Sequence, residues 1–254
     1  MKSFFSKKSI LGTMAVAAVC MLGTSNAQAQ EFTIQGDLVS SYVWRGIYQG
    51  GAASFQPTLG FSVGNFSLTA WGSTSLSESN KEIDLTAAYK FGEAGPTLSV
   101  ATLWWDGQAD VANGELTNNY FHFKRGDTGH HFEAGLAYTL PIEKFPLSIA
   151  WYTMFAGADR KTTDEGEEKQ AYSSYVELNY PFSVKGVDLN ATCGVVPYKT
   201  PQYNVNGFAV TNLALKATKA INFNDKFSLP IFVQAIWNPR LEDAHLVFGV
   251  TLRP

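Results

Sequence analysis

Cysteine, charge and long apolar runs are all scarce in this 254-residue chain, and each shortage closes off a class of protein. Cys20 and Cys193 are the two cysteines. Cys20 falls in an N-terminal stretch with the character of an export leader, so Cys193 stands alone and no disulfide framework is available. Charged residues make up 16% of the chain. The formal net charge of −3 becomes −3 − 3 = −6 when Lys2, Lys7 and Lys8 leave with the leader, which argues against nucleic acid as a partner. Past the leader, no apolar stretch approaches the roughly 20 residues that a membrane-spanning helix needs.

The leader is read from three parts. Lys2, Lys7 and Lys8 form a basic start, Ser9 to Gly23 is almost uncharged, and Ala27-Gln28-Ala29 supplies the small residues of a cleavage site. Val19 occupies the place where a lipoprotein signal before Cys20 would need a small residue. The expected division is a signal peptide over 1–29 and one domain over 30–254.

What the chain does have is aromatic residues, 14% of the total, with 18 Phe, 11 Tyr and 6 Trp. They recur in a period of two. Phe55, Pro57, Leu59, Phe61 and Val63 alternate with Gln56, Thr58, Gly60 and Ser62; Ile83, Leu85, Ala87 and Tyr89 alternate with Glu82, Asp84, Thr86 and Ala88. Phe132, Ala134, Leu136 and Tyr138 repeat the pattern against Glu133, Gly135, Ala137 and Thr139. Such alternation places apolar side chains on one face of a strand and polar ones on the other. Strands are expected near 31–46, 53–63, 66–75, 81–91, 96–105, 130–140, 146–157, 169–180, 186–196, 208–221, 227–238 and 243–252. Their even number and lengths suit tilted membrane strands of about 9–11 residues.

The connections divide into two kinds. Every second one is short: Gly64-Asn65, Gly92 to Gly95, Pro141 to Phe145, Pro181 to Lys185 and Asn222 to Lys226. The long ones, 106–129, 158–168 and 197–207, all belong to the other set. Short periplasmic turns opposite longer outer loops are characteristic of outer-membrane barrels. Trp44, Trp104, Trp105 and Trp237 fall near the outer ends of strands, where an aromatic girdle is expected. A soluble β-sandwich would also alternate, but would not require this loop asymmetry. The expected fold is all-β: an antiparallel up-and-down transmembrane barrel of about 12 strands in the outer membrane of a Gram-negative bacterium.

The segment Ser40-Ser41-Tyr42-Val43-Trp44-Arg45-Gly46-Ile47 resembles the Ser-Asp-Tyr-Val-Phe-Arg-Gly motif of the TorF-like bacterial outer-membrane porins. Ala70-Trp71-Gly72-Ser73 and Glu82-Ile83-Asp84-Leu85-Thr86 are similar to that family's second hairpin, so the resemblance covers about the first third of the mature chain. Ser41 stands where the family has Asp, and the chain ends Thr251-Leu252-Arg253-Pro254 rather than on an aromatic residue; Phe248 is the nearest substitute. The resemblance implies a pore and no particular solute.

If the apolar face meets lipid, the residues out of phase with it line the lumen. They include Asp37, Arg45, Glu82, Asp84, Lys90, Glu133, Glu177, Asp188, Lys216 and His245. Lipid-facing Arg or Lys near the midplane would cost roughly 2–4 kcal/mol, which favours inward placement. These charges either line a solute pathway or pair across a filled lumen. A mixed lining argues against a preference for polyanions. The 106–129 link either folds into the mouth and narrows it, as the poor placement of Tyr120, Phe121 and Phe123 in water suggests, or is a mobile surface loop. His130 and His131 point to opposite faces if they lie on a strand, so no metal site is expected there. No cofactor is expected either.

The expected function is therefore a channel for passive diffusion of small hydrophilic solutes. Outer-membrane lipid, lipopolysaccharide and the barrel-insertion machinery are the expected partners. A non-conducting barrel acting as adhesin or binding scaffold is the alternative. A lipid-modifying enzyme is a third, in which His245 would meet Ser40 or Ser41 when the barrel closes.

Overall fold

The computed structural model describes residues 30–78, 80–105, 119–124, 128–224 and 227–254. The leader assigned to 1–29 and most of the 106–129 link lie outside the described residues. Among the described residues sixteen strands follow in order: β1 Gln30–Val39, β2 Tyr42–Trp44, β3 Ile47–Gly50, β4 Ser54–Val63, β5 Phe66–Ser75, β6 Lys81–Lys90, β7 Thr97–Trp105 and β8 His130–Thr139. Then come β9 Ser148–Gly157, β10 Arg160–Thr162, β11 Glu168–Gln170, β12 Ser174–Val184, β13 Val187–Val196, β14 Ala209–Asn222, β15 Ser228–Asn238 and β16 Asp243–Leu252.

Twelve of these close into one antiparallel barrel, β1-β4-β5-β6-β7-β8-β9-β12-β13-β14-β15-β16 and back to β1. The seam is the short ladder from Gly36↔Leu252 to Val39↔Gly249. Ser40 extends it: its N–H donates to Phe248 O at 2.8 Å, and its hydroxyl accepts the Phe248 N–H at 3.0 Å. Closure gives each of the twelve wall strands a hydrogen-bonded neighbour on both sides, so the barrel has no free edge strand.

The burial pattern is inside out. Phe32 is 72% exposed, Leu59 58% and Leu246 57%, all pointing away from the axis, while Asp37, Gln56, Glu82, Asp84, Glu133, Asn179 and Lys216 are buried on the inner face. A water-soluble barrel or sandwich would bury the first set and expose the second. Two-residue or slightly longer turns join strands at one end, as at Gly64-Asn65 and Lys185-Gly186, and the long links gather at the other.

Two expected boundaries are corrected. The strand expected at 31–46 stops at Val39, and residues 40–53 form a separate hairpin, β2-β3, that turns inward between β1 and β4. The alternation of Tyr42, Val43 and Trp44 is genuine strand periodicity, but its partner is β3 and not the barrel wall. The strand expected at 169–180 divides as well: Glu168–Gln170 pairs with Arg160–Thr162 in a ribbon beyond the rim, and the wall resumes at Ser174. At the other end the wall runs through Pro181, opposite Asn190, to a turn at Lys185-Gly186.

Candidate functional site

The β2-β3 hairpin turns on Arg45 and Gly46, with φ of 50° and 82°, between the paired residues Trp44 and Ile47. Positive φ at both central positions is the two-residue hairpin turn whose twist matches its strands, and it ordinarily selects Asn-Gly or Asp-Gly. Arg45 is an unusual occupant, held in a left-handed conformation that costs a non-glycine residue energy. Gly46 is required twice over: a Cβ there would lie 1.9 Å from Thr211 O on β14. Asn238, at the end of β15, donates from Nδ2 to Gly46 O at 3.0 Å. The hairpin tip therefore touches the wall at β15 and β14, two and three strands round from β1.

What offsets the strain is the arginine's surroundings. Its Nη1 lies 2.7 Å from Glu133 Oε2 and its Nη2 2.8 Å from Glu133 Oε1, a two-pronged pair with side-chain exposures of 11% and 4%. Nη1 also donates to the Tyr203 hydroxyl at 2.6 Å. The guanidinium carbon sits 4.7 Å from the Trp44 ring centre, 4.6 Å from Tyr152 and 4.8 Å from Tyr175. Planar donors matched to a carboxylate, with aromatic faces above and below, are the environment in which arginine outperforms lysine.

The tyrosines are fixed in turn. Trp44 and Tyr203 stack at 5.5 Å and 8°, and Tyr203 stacks on Tyr175 at 5.8 Å. The Tyr175 hydroxyl donates to Glu177 Oε2 at 2.7 Å and accepts from Asn212 Nδ2 at 3.1 Å. Tyr203 belongs to the 197–208 link, folded inward by the bridge Thr200↔Val205. Burial holds its phenol above the usual value, with Arg45 pulling it back, so it stays neutral at any physiological pH. That link is tied to its neighbour through Thr200, whose hydroxyl meets that of Ser173; the Ser173 N–H and hydroxyl both donate to the Asp159 carboxylate, at 2.8 and 2.5 Å. Burial raises the Asp159 pKa, and the bonds from Ser173 and Gln170 oppose that shift. Apolar clusters on three parts of the wall converge on the hairpin: Trp44 and Ile47 join the Tyr152–Val196–Val205 group, Val43 the Phe232–Ile236–Val247 group, and Trp44 the Leu103–Met154 group.

The structure places the ten residues named for the lumen by two routes. Asp37, Glu82, Asp84, Lys90, Glu133, Glu177, Asp188, Lys216 and His245 are on the inner faces of wall strands. Arg45 reaches the lumen from the hairpin tip instead of from the wall. The structure brings Arg45, Glu133, Glu82 and Asp84 into one neighbourhood around the hairpin. Lys216 sits lower, its Nζ 3.4 Å from the Phe232 ring centre with Asp37 as the opposing charge. Asp188 accepts from Ser183 at 2.7 Å near a short turn, away from the group.

The expected girdle needs correcting at two of its four tryptophans. Trp237 faces outward at 51% exposure, and Trp104 faces outward beneath Tyr120. Trp44 and Trp105 are inside, 5.4 Å apart edge to face, because Trp44 belongs to the inward hairpin and Trp105 follows Trp104 on the opposite strand face. The 119–124 segment does not enter the mouth. Tyr120 and Phe123 cover His130 and Trp104 on the outward face, with Tyr120 O 2.5 Å from His130 Nε2 and Phe123 stacked on that ring at 4.5 Å. Tyr120 and Phe123 thus lie on the barrel's flank instead of its mouth, while Phe121 stays 80% exposed. His131 points inward against Trp105, opposite to His130.

For the enzyme alternative, His245 stacks on Tyr48 of the hairpin and lies 3.1 Å from Asp243, while the Ser40 hydroxyl is bonded to Phe248; no hydrogen bond joins Ser40 to His245. Sequence reasoning missed Tyr152, Tyr175 and Tyr203. The first two were legible, since both lie in the inward phase of their strands; Tyr203, in a link with no period, carried no signal.

No family model matches this chain, and no curated protein matches it. Among solved structures it is similar to the COG4313 outer membrane channel from Pseudomonas putida F1, at 10% identity and a TM-score of 0.42, over 91% of this chain and 98% of that one.

Proposed function

We propose that this chain is a Gram-negative outer-membrane channel for small hydrophilic solutes, exported by a leader over 1–29 and narrowed by the hairpin at 42–50. One observation carries the reading: a closed twelve-stranded barrel with leucine and phenylalanine outside and carboxylates, amides and a lysine inside. Such a surface is stable in lipid and not in water. The hairpin then acts as a constriction, a folded-in loop set by an ion pair to the far wall. On this reading the long links meet lipopolysaccharide outside, and Trp104 and Trp237 rest at the headgroup level. Kinship with the TorF-like porins rests on Ser40 to Ile47, Ala70 to Ser73 and Glu82 to Thr86; the first of these is the hairpin's lead-in, first strand and turn.

A second reading, a non-conducting barrel used as a scaffold, is favoured by how completely Tyr175, Tyr203, Met154 and Val196 are buried around the hairpin. Planar-bilayer recording of the refolded mature protein separates the two. Discrete unit conductance supports the channel; a folded barrel that carries no current removes it in favour of the scaffold.

A further inference from the structure

Asp159, Ser173, Thr200 and Tyr203 come from three separate stretches of the outer links, yet each is 2% exposed or less. They form an unbroken chain that ends on Arg45. Ser173 is its hub, with N–H and hydroxyl both on the Asp159 carboxylate and the hydroxyl also meeting that of Thr200. Thr200 pairs with Val205, its N–H donating to Val205 O at 3.1 Å, and this bridge brackets Tyr203. The Tyr203 hydroxyl then accepts from Arg45 Nη1 at 2.6 Å.

The same link is fastened a second time. The Tyr198 hydroxyl donates to Tyr172 O at 2.6 Å and lies 2.6 Å from Ser174 Oγ. The 197–207 link is thus clamped between the corner at 172–174 and the hairpin tip. Both sides of the clamp hold a residue with a left-handed backbone, Tyr172 at φ 56° and Asn204 at φ 50°. Asparagine tolerates that conformation, whereas tyrosine rarely adopts it. Such strain persists only where the surroundings over-determine it. Here the Tyr172 carbonyl accepts from Tyr198 and Ser174, while its neighbours Ala171 and Ser173 are both bonded to Asp159. The ties hold the corner in place against its own backbone preference, so loosening them releases strain.

We propose that the 197–207 link is a strap, fastened at Ser173, that holds the hairpin in the lumen and transmits any opening of the outer links through Tyr203 to Arg45. Tyr203 supplies one of the three side-chain hydrogen bonds of Arg45 and stacks on Trp44 at 5.5 Å and 8°. Withdrawing it removes both contacts from the hairpin tip at once. The consequence for current rests on the channel reading; the coupling of link to hairpin rests on the bonds alone.

The test is hydrogen–deuterium exchange of the refolded mature protein in detergent, read peptide by peptide, in T200V, which removes the hydroxyl that meets Ser173 and keeps the side-chain shape. Peptides covering 42–50 are expected to exchange roughly three- to tenfold faster than in the parent, the scale of one lost hydrogen bond, together with those covering 197–207. T200S should restore both. S173A breaks the same tie from its other side, carries the same expectation, and replaces T200V if that variant does not refold. Faster exchange confined to 197–207, or no change in either segment, overturns the strap. Bilayer recording of the same variants keeps the two readings apart. Coupled exchange without current keeps the strap and removes the channel; current with exchange confined to the link keeps the channel and removes the strap.

Discussion

Arg45 and Glu133, 88 residues apart in sequence, meet in a two-pronged ion pair with both nitrogen–oxygen distances under 3 Å. The bond spans the lumen from the hairpin tip to β8 and ties the hairpin across the barrel. Removing one partner of such a buried pair typically costs about 3–5 kcal/mol, because the other charge is left behind. The ladder hydrogen bonds of the barrel are not involved. R45A and E133A are therefore expected to fold as barrels while releasing the hairpin, with higher and noisier unit conductance in bilayers. A double variant, R45A/E133A, should lose less stability than the sum of the singles. Unchanged conductance in all three would count against the hairpin as constriction.

Gly46 offers a gentler handle on the same element. A Cβ there meets the Thr211 carbonyl at 1.9 Å, in a backbone conformation that L-residues rarely adopt. G46A should displace the tip at a cost of about 1–3 kcal/mol, without touching a charge. Limited proteolysis from the long-loop side should then cleave within 42–50 faster than in the parent protein. Equal cleavage rates would show that the tip is not held against β14.

Lipid contact is tested at Leu59, midway along β4 and facing outward. L59R is expected to lower unfolding free energy by about 2–4 kcal/mol in vesicles, as lipid-facing arginine does near a bilayer midplane. T58R, one residue along and on the inner face, should cost less and alter conductance instead. Equal losses at both positions would contradict the assignment of faces.

Asp159 makes the outer links sensitive to pH. Burial raises its folded pKa above the ordinary value near 3.8. A carboxyl whose pKa rises on folding stabilises the fold fully below its unfolded value, and that contribution is lost as pH climbs through the raised one. The cluster of Asp159, Ser173 and Thr200 should accordingly resist proteolysis better at mildly acidic pH than at neutrality. D159N should flatten that dependence. A profile rising toward neutral pH in the parent protein would reverse the sign and refute the assignment.

The sequence alone determined the barrel, because the decisive signal is local. A period of two, repeated from Phe55 to Phe248, separates lipid-facing from lumen-facing side chains strand by strand, and short turns alternating with long links orient the two ends. It also put Glu82, Asp84, Glu133 and Lys216 on the inner face. Tertiary structure alone decided what fills the lumen. Tyr42-Val43-Trp44 has the same alternation as a wall strand, so nothing within it tells a wall from a plug. The choice is made by Glu133, Thr211, Tyr203 and Asn238, which lie 88 to 192 residues away or in links with no period and gather around Arg45 and Gly46 only after the barrel has closed. Trp104 and Trp105 make the same point in two adjacent residues: strand geometry sends them to opposite faces, and only the folded barrel shows which one lies outward beneath Tyr120 and which one meets Trp44.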